Sequence, residues 1–211
     1  MSLNKYHLIA GILVSIMFFL AVFSMRGDSL TMDELAHLPA GYSYLVKQDM
    51  RLNPEHPPLI KDLAAFPLLF IKGITFPENH PSWQKDINGQ WTFGNQLLFH
   101  HNNPADQMIF WARMSMILIL IIFALIFYYL AYRYFGGKTA LLALFFFCFS
   151  PTLLAHGRLV TTDVGAAFGS FVVIFTFFNF LKFPNRKNFF IAALGLVFAE
   201  LTKFSNILLF P

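Results

Sequence analysis

Four short stretches of this chain hold the side chains able to do chemistry. The first is Asp33-Glu34, inside TMDELAHLPAGYSYL. Adjacent carboxylates near a low-dielectric surface repel one another, and that raises the proton affinity of one of them. A carboxylate so placed can act as general base toward a hydroxyl or an amine. The same pair also fits the first turn of a helix capped by Ser29 or Thr31. The second stretch is NPEHPPLIK, Asn53 to Lys61. Pro54, Pro57 and Pro58 keep the backbone out of helix. They hold Glu55 and His56 just ahead of a helix that begins at Leu59, with Lys61 in its first turn. A stiff loop positions side chains at low entropic cost, although a rigid turn that merely launches a helix reads the same way.

The third stretch is HGRLVTTD, His156 to Asp163. Arg158 is its one basic residue, and Asp163 opens the apolar run that follows. A helix cap and an interfacial arginine would also account for them. The fourth is Lys203, inside another apolar run, with Glu200 three residues before it. Ionisable groups within a span are costly and mark sites or pathways. The alternatives are a local i,i+3 pair with Glu200 or a lysine snorkelling outward.

The elements that must carry these residues are apolar. The chain has 211 residues, 57% of them hydrophobic and 12% charged, with 28 Phe and a net charge of +4. Mean hydropathy is +0.59. That is the composition of an integral membrane protein. The basic residues flank apolar runs instead of forming a patch, which argues against nucleic acid as a partner. The single Cys148 has no internal disulfide partner. No Walker loop, GxGxxG, zinc-type Cys/His spacing or internal repeat occurs.

Five runs are candidate membrane helices: about 7–25, 113–133, 139–155, 164–181 and 189–210, against the roughly 20 residues that cross a ~30 Å hydrocarbon core. Pro151 predicts a kink or an early stop in the third. The first reads as a retained helix in preference to a cleaved signal peptide. The fold class is therefore all-α and polytopic, a single membrane domain over 1–211. Lys5, then Arg133 and Lys138, then Lys182, Arg186 and Lys187 fall on one side. The positive-inside rule makes that side cytoplasmic, which leaves loop 26–112 and HGRLVTTD facing outward. Lys203 is about 20 Å from the cytoplasmic end of its helix, in the outer half of the membrane. The loop holds nine of the eleven acidic residues. Within it, 59–71 reads as an interfacial helix, 30–47 as an amphipathic segment interrupted by Pro39 and Gly41, and 76–105 as irregular, with Trp83 and Trp91 at headgroup level.

Carboxylates, His, Arg and Lys thus converge on one outer-leaflet zone. Such a zone suits a lipid with an anionic headgroup, held through charge-assisted bonds from Arg158 and Lys203, with a carboxylate to take a proton from an acceptor. A transporter would favour paired, interrupted spans with charges near the midplane, a pattern this chain lacks.

The combination DELAHLPAGYSYL, NPEHPPLIKDLAAFPLL, SPTLLAHGRLVTTDVGAAF and ELTKFS resembles the protein O-mannosyltransferase and aminoarabinose-transferase-like (ArnT-like) enzymes of the GT-C superfamily. The Asp-Glu pair and the HPPLIK segment carry the likeness to the mannosyltransferases. The resemblance implies a multi-span glycosyltransferase that uses a polyprenyl-phosphate sugar donor and transfers the sugar, with inversion, to an extracytoplasmic acceptor. It implies Asp33 as catalytic base or as an acid essential to the site, Glu34 in support, Asp163 as a further acidic site residue, and His56 and Lys61 in the loop that shapes the site. Arg158 and Lys203 as phosphate contacts rest on the residues themselves. A phosphate leaving group needs its charge stabilised more than it needs a proton, so one carboxylate base and a cationic cradle suffice. No cofactor is required by this logic. The carboxylates could hold a divalent cation, but their spacing carries no metal signature. The setting implied is a bacterial cell membrane, with the N-terminus cytoplasmic. The chain reads as the N-terminal part of such an enzyme. The alternative is a non-catalytic membrane subunit or fragment that binds a lipid-linked sugar or a partner.

Overall fold

The computed structural model describes residues 3–209, and among them every regular element is helical. In chain order these are α1 (Leu3–Ser24), α2 (Met32–Lys47), α3 (Pro58–Ala65), α4 (Pro81–Gln84), α5 (Gln90–Asn95), α6 (Ala105–Cys148), α7 (Pro151–His156), α8 (Asp163–Lys182) and α9 (Arg186–Thr202). Short 3-10 turns follow α3 and α9, and a π-helical turn follows α5. Three helices are long and apolar enough to cross a membrane: Lys5–Ser24 of α1, the 44 residues of α6 and the 20 of α8.

The five expected spans therefore map onto three full-length ones and two shorter stretches. The second and third runs meet in α6, which breaks at Gly136 with φ 80° and ψ 169°. Only glycine adopts that left-handed conformation without strain. The third run then stops where Pro151 predicts, and α7 restarts with Ser150 accepting from the Leu153 N–H. The fifth run yields the 17 residues of α9. At 1.5 Å per residue that is about 25 Å, short of the ~30 Å core.

The chain forms two compact units. The first joins residues 3–29 to 113–159. Ala10, Val14, Met17 and Ala21 of α1, and Met25 just past its end, are buried at helical spacing, as are Met116, Leu120, Phe123 and Ala124 of α6. Ala21, Val22, Met25 and Ile117 form one core cluster. Arg113 is buried in this unit and donates to the carbonyls of Asp28 and Ser29, at 3.2 and 2.9 Å.

The second unit joins residues 30–112 to 160–209. Its centre is α2, buried from Ala36 through Tyr44 and at Glu34. This helix runs unbroken through Pro39, where the sequence suggests an interruption. Proline removes the N–H that would bond the carbonyl four residues back, here that of Leu35. The backbone of α5 covers that carbonyl at Gly94, where any Cβ would collide with the Leu35 oxygen. Gly41 allows the same closeness on the other side, against the Lys61 carbonyl of α3. So the middle of 30–47 lies in the core of this unit. Residues 76–105 are also more ordered than expected: Trp83 is buried and packs on Phe76 and Phe93, with ring centroids at 4.9 and 5.4 Å. α3 keeps the amphipathic character expected of 59–71. It buries Ile60, Lys61, Ala64 and Ala65, while Leu63, Phe66, Leu69 and Phe70 stay exposed. α8 and α9 approach closely through small residues: a Cβ on Gly169 would lie 2.8 Å from the Ala199 Cα. Small residues let helices pack this tightly in a membrane.

Candidate functional site

The second unit assembles most of the residues singled out above, from α2, the 51–57 loop and the helix ends around Asp163 and Lys203. α2 begins at Thr31, whose N–H and hydroxyl donate to Glu34 Oε2 at 2.9 and 3.0 Å. This is the reciprocal bond of a capping box. It leaves the two carboxylates with different environments. Glu34 is fully buried, and its Oε1 accepts from the Val160 N–H at 3.1 Å. Asp33 is exposed. One turn on, His37 is buried and its Nδ1 lies 3.1 Å from the Val160 carbonyl. A carbonyl carries no proton, so that bond requires Nδ1–H. The neutral ring then has its lone pair on Nε2.

The loop ahead of α3 is locked from two sides. Asn53 takes a left-handed φ of 52°, which asparagine tolerates better than most residues. Its N–H donates to Asn88 Oδ1 at 2.7 Å. Glu55 then collects amide donors: Gln90 at 2.6 Å, Asn88 at 3.1 Å and Asn53 at 3.3 Å. Burial raises the Glu55 proton affinity, but the bond from Gln90, a backbone N–H, the bond from Asn88 and the His56 charge together outweigh it and hold its carboxyl below the usual range. From the other side comes Lys61. Its side chain is fully buried, and Nζ donates to Tyr44 OH at 2.7 Å, to the carbonyls of Asn53 and His56 at 2.8 Å each, and to Asn53 Oδ1 at 3.1 Å. Tyr44 in turn donates its hydroxyl hydrogen bond to the Leu52 carbonyl. Burial pushes the Lys61 ammonium down to about 8, against partial support from Asp62 and Glu55. Lys61 therefore spends its donors on Tyr44 and the loop and has none exposed for a bound phosphate.

The product of this lock is the placement of His56. Its ring meets that of His37 edge to face, centroids 5.0 Å apart and planes at 85°. Burial lowers the proton affinity of both histidines. The charges of Lys61 and Lys203 lower that of His56 further, while Glu55 and Asp33 oppose them. His56 thus sits within electrostatic reach of both Asp33 and Lys203. Lys203 ends α9, and its Nζ lies 2.7 Å from Asp163 Oδ1 at the start of α8. Glu200, the local partner suggested by the sequence, is not the one it takes. Arg158 belongs to the first unit, where its guanidinium is ion-paired to Asp28.

Asp33, Glu34, His56, Lys61, Asp163 and Lys203 all lie in one compact unit. Asp33 offers an open carboxylate, Asp163–Lys203 a partly exposed ion pair, and His37–His56 a pair of imidazoles held neutral near pH 7. Among the described residues no three His, Cys, Asp or Glu side chains group as metal ligands. Reasoning from the sequence missed His37, four residues after Asp33 and so on the same helical face. It also missed Asn53, Asn88 and Gln90, whose amides carry no signal beyond loop composition.

The model of the dolichyl-phosphate-mannose-protein mannosyltransferase family matches residues 105–211, just over half of the chain. The matched part holds Arg158, Asp163 and Lys203, and the part before it holds Asp33, Glu34, His56 and Lys61. No curated protein and no solved structure matches. With its three membrane-capable helices, the chain belongs to the dolichyl-phosphate-mannose-protein mannosyltransferase family, a GT-C type family of membrane glycosyltransferases.

Proposed function

We propose that this protein transfers a sugar from a polyprenyl-phosphate donor to a hydroxyl or amine outside the cytoplasm, inverting the anomeric carbon. Asp33 takes the acceptor's proton as the acceptor heteroatom bonds to C1. The C1–O bond to phosphate breaks on the opposite face, and the phosphate leaves with the electron pair. Lys203 exchanges its contact with Asp163 for the phosphate and stabilises the charge that develops there. His56 and His37, held neutral, border the site without adding a second cation.

The observation that carries this reading is the gathering in one compact unit of an open carboxylate, Asp33, and a partly exposed lysine, Lys203, held against Asp163. A base and a phosphate cradle are the two parts an inverting transfer needs. The distribution of Lys and Arg supports an N-terminus in the cytoplasm and a site facing outward, as in a bacterial cell membrane. The test is transfer of label from a radiolabelled polyprenyl-phosphate sugar in membranes expressing the protein. Labelled product of inverted configuration, absent from control membranes, is the expected result. Donor binding without turnover under any acceptor would instead favour a lipid-sugar-binding subunit.

A further inference from the structure

Two side chains of α2 hold both polar groups of one distant peptide residue. Glu34 Oε1 accepts from the Val160 N–H at 3.1 Å, and His37 Nδ1 donates to the Val160 carbonyl at 3.1 Å. All three residues are buried. Val160 is separated from them by 126 and 123 residues of chain. It stands three residues before Asp163, and the residues between, Thr161 and Thr162, are buried as well. Asp163 in turn holds Lys203.

We infer that Glu34 and His37 form a two-point clamp on Val160, and that the clamp positions the Asp163–Lys203 pair. They are positioning residues. Glu34 reads the N–H and His37 the carbonyl, so Val160 can neither slide along α2 nor rotate its peptide planes. A segment between two helices would otherwise be free to carry the start of α8, and Asp163 with it, by an ångström or more. Misplacement of that order costs about 100-fold in a group-transfer reaction. The clamp also assigns a task to the second carboxylate of the Asp-Glu pair: buried Glu34 is committed to Thr31 and to the Val160 N–H, and exposed Asp33 is the one of the two open to an acceptor. The donor-binding consequence rests on the function proposed above; the clamp itself does not.

The test uses the full chain in detergent, with His37→Phe and His37→Asn. Phenylalanine keeps the ring and loses the donor. Asparagine places an amide N–H near the position of Nδ1. Hydrogen exchange over residues 157–162 should quicken at least tenfold in His37→Phe and stay near wild type in His37→Asn. The Kd for a radiolabelled polyprenyl-phosphate sugar should rise about tenfold in His37→Phe and recover in His37→Asn. A merely structural role would lower the fraction of protein that binds and leave Kd unchanged. Glu34→Ala supplies the second arm, and it should quicken exchange over the same peptide. Unchanged exchange in both His37→Phe and Glu34→Ala overturns the clamp. Changed exchange with unchanged Kd keeps the clamp and overturns its role in placing the pair. A wild type that binds no donor overturns the proposed function, while the exchange data still decide the clamp.

Discussion

Replacing Lys61 with methionine separates two roles that a lysine in this loop can play. Methionine keeps most of the apolar stem and removes the ammonium. The structure gives Nζ three partners within 2.8 Å: Tyr44 OH and the carbonyls of Asn53 and His56. Hydrogen bonds to charged groups contribute about 1.5–3 kcal/mol each, so roughly 4–9 kcal/mol goes with them. Against this stands the burial of the charge. The ammonium is pushed from 10.5 down to about 8, and at 1.36 kcal/mol per pK unit its removal returns roughly 3 kcal/mol. The net loss for Lys61→Met is about 3 kcal/mol, and it falls on the loop that carries His56. The assay is thermal unfolding in detergent, followed by limited proteolysis across residues 51–57. A lower Tm and quicker cleavage in the loop are expected. A Lys61→Met protein with wild-type Tm and an intact loop, but without donor binding, would refute the reasoning. It would show that Lys61 meets the ligand instead of the backbone.

Other perturbations follow from the same contacts. Gly41→Ala sets a Cβ against the Lys61 carbonyl, whereas Gly165→Ala meets side chain, with Ile60 Cδ1 at 2.5 Å and Cγ1 at 2.6 Å. The first should lower Tm or expression severely and the second mildly, because backbone cannot step aside as a side chain can. Burial raises the Asp62 carboxyl from 3.8 to about 6. A raised carboxyl contributes stability below about 3.8 that is lost as pH climbs through about 6. Discounted for its partial exposure, Asp62→Asn should therefore stabilise the protein at pH 7 by about 1 kcal/mol, with no gain at pH 3.5 in urea unfolding. Lys203→Ala should weaken donor binding roughly 10-fold, about 1.4 kcal/mol, while Tm changes little because the ion pair with Asp163 is partly exposed. An equal loss of Tm would place its role in folding alone.

Local signals were legible in the sequence in part. Pro151 marks the stop of a helix, and a cap at Ser29 or Thr31 was readable, whereas the choice of Thr31 with Glu34 as a capping box and the restart at Ser150 came from the structure. The proline-stiffened loop before α3 is likewise a property of consecutive residues. What stayed hidden involves partners far along the chain. Nothing near Lys61 shows that its nitrogen turns inward, because two of its acceptors are main-chain carbonyls and carry no residue identity. Lys203 has Glu200 beside it in sequence but pairs with Asp163, 40 residues back. Pro39 reads as a break until Gly94 is seen covering the carbonyl it leaves without a donor. Trp83 matches an interfacial aromatic by type alone, yet the loop has aromatics enough to bury it in a core of its own.

The central claim is that Asp33, the open member of the Asp-Glu pair, removes the acceptor's proton. Transfer from a radiolabelled polyprenyl-phosphate sugar, compared between wild type and Asp33→Asn at matched protein level and matched donor occupancy, tests it most directly. The account predicts that Asp33→Asn binds donor as wild type does and loses transfer by a factor of about 100 or more. Transfer retained in Asp33→Asn would contradict it and move the base to another residue.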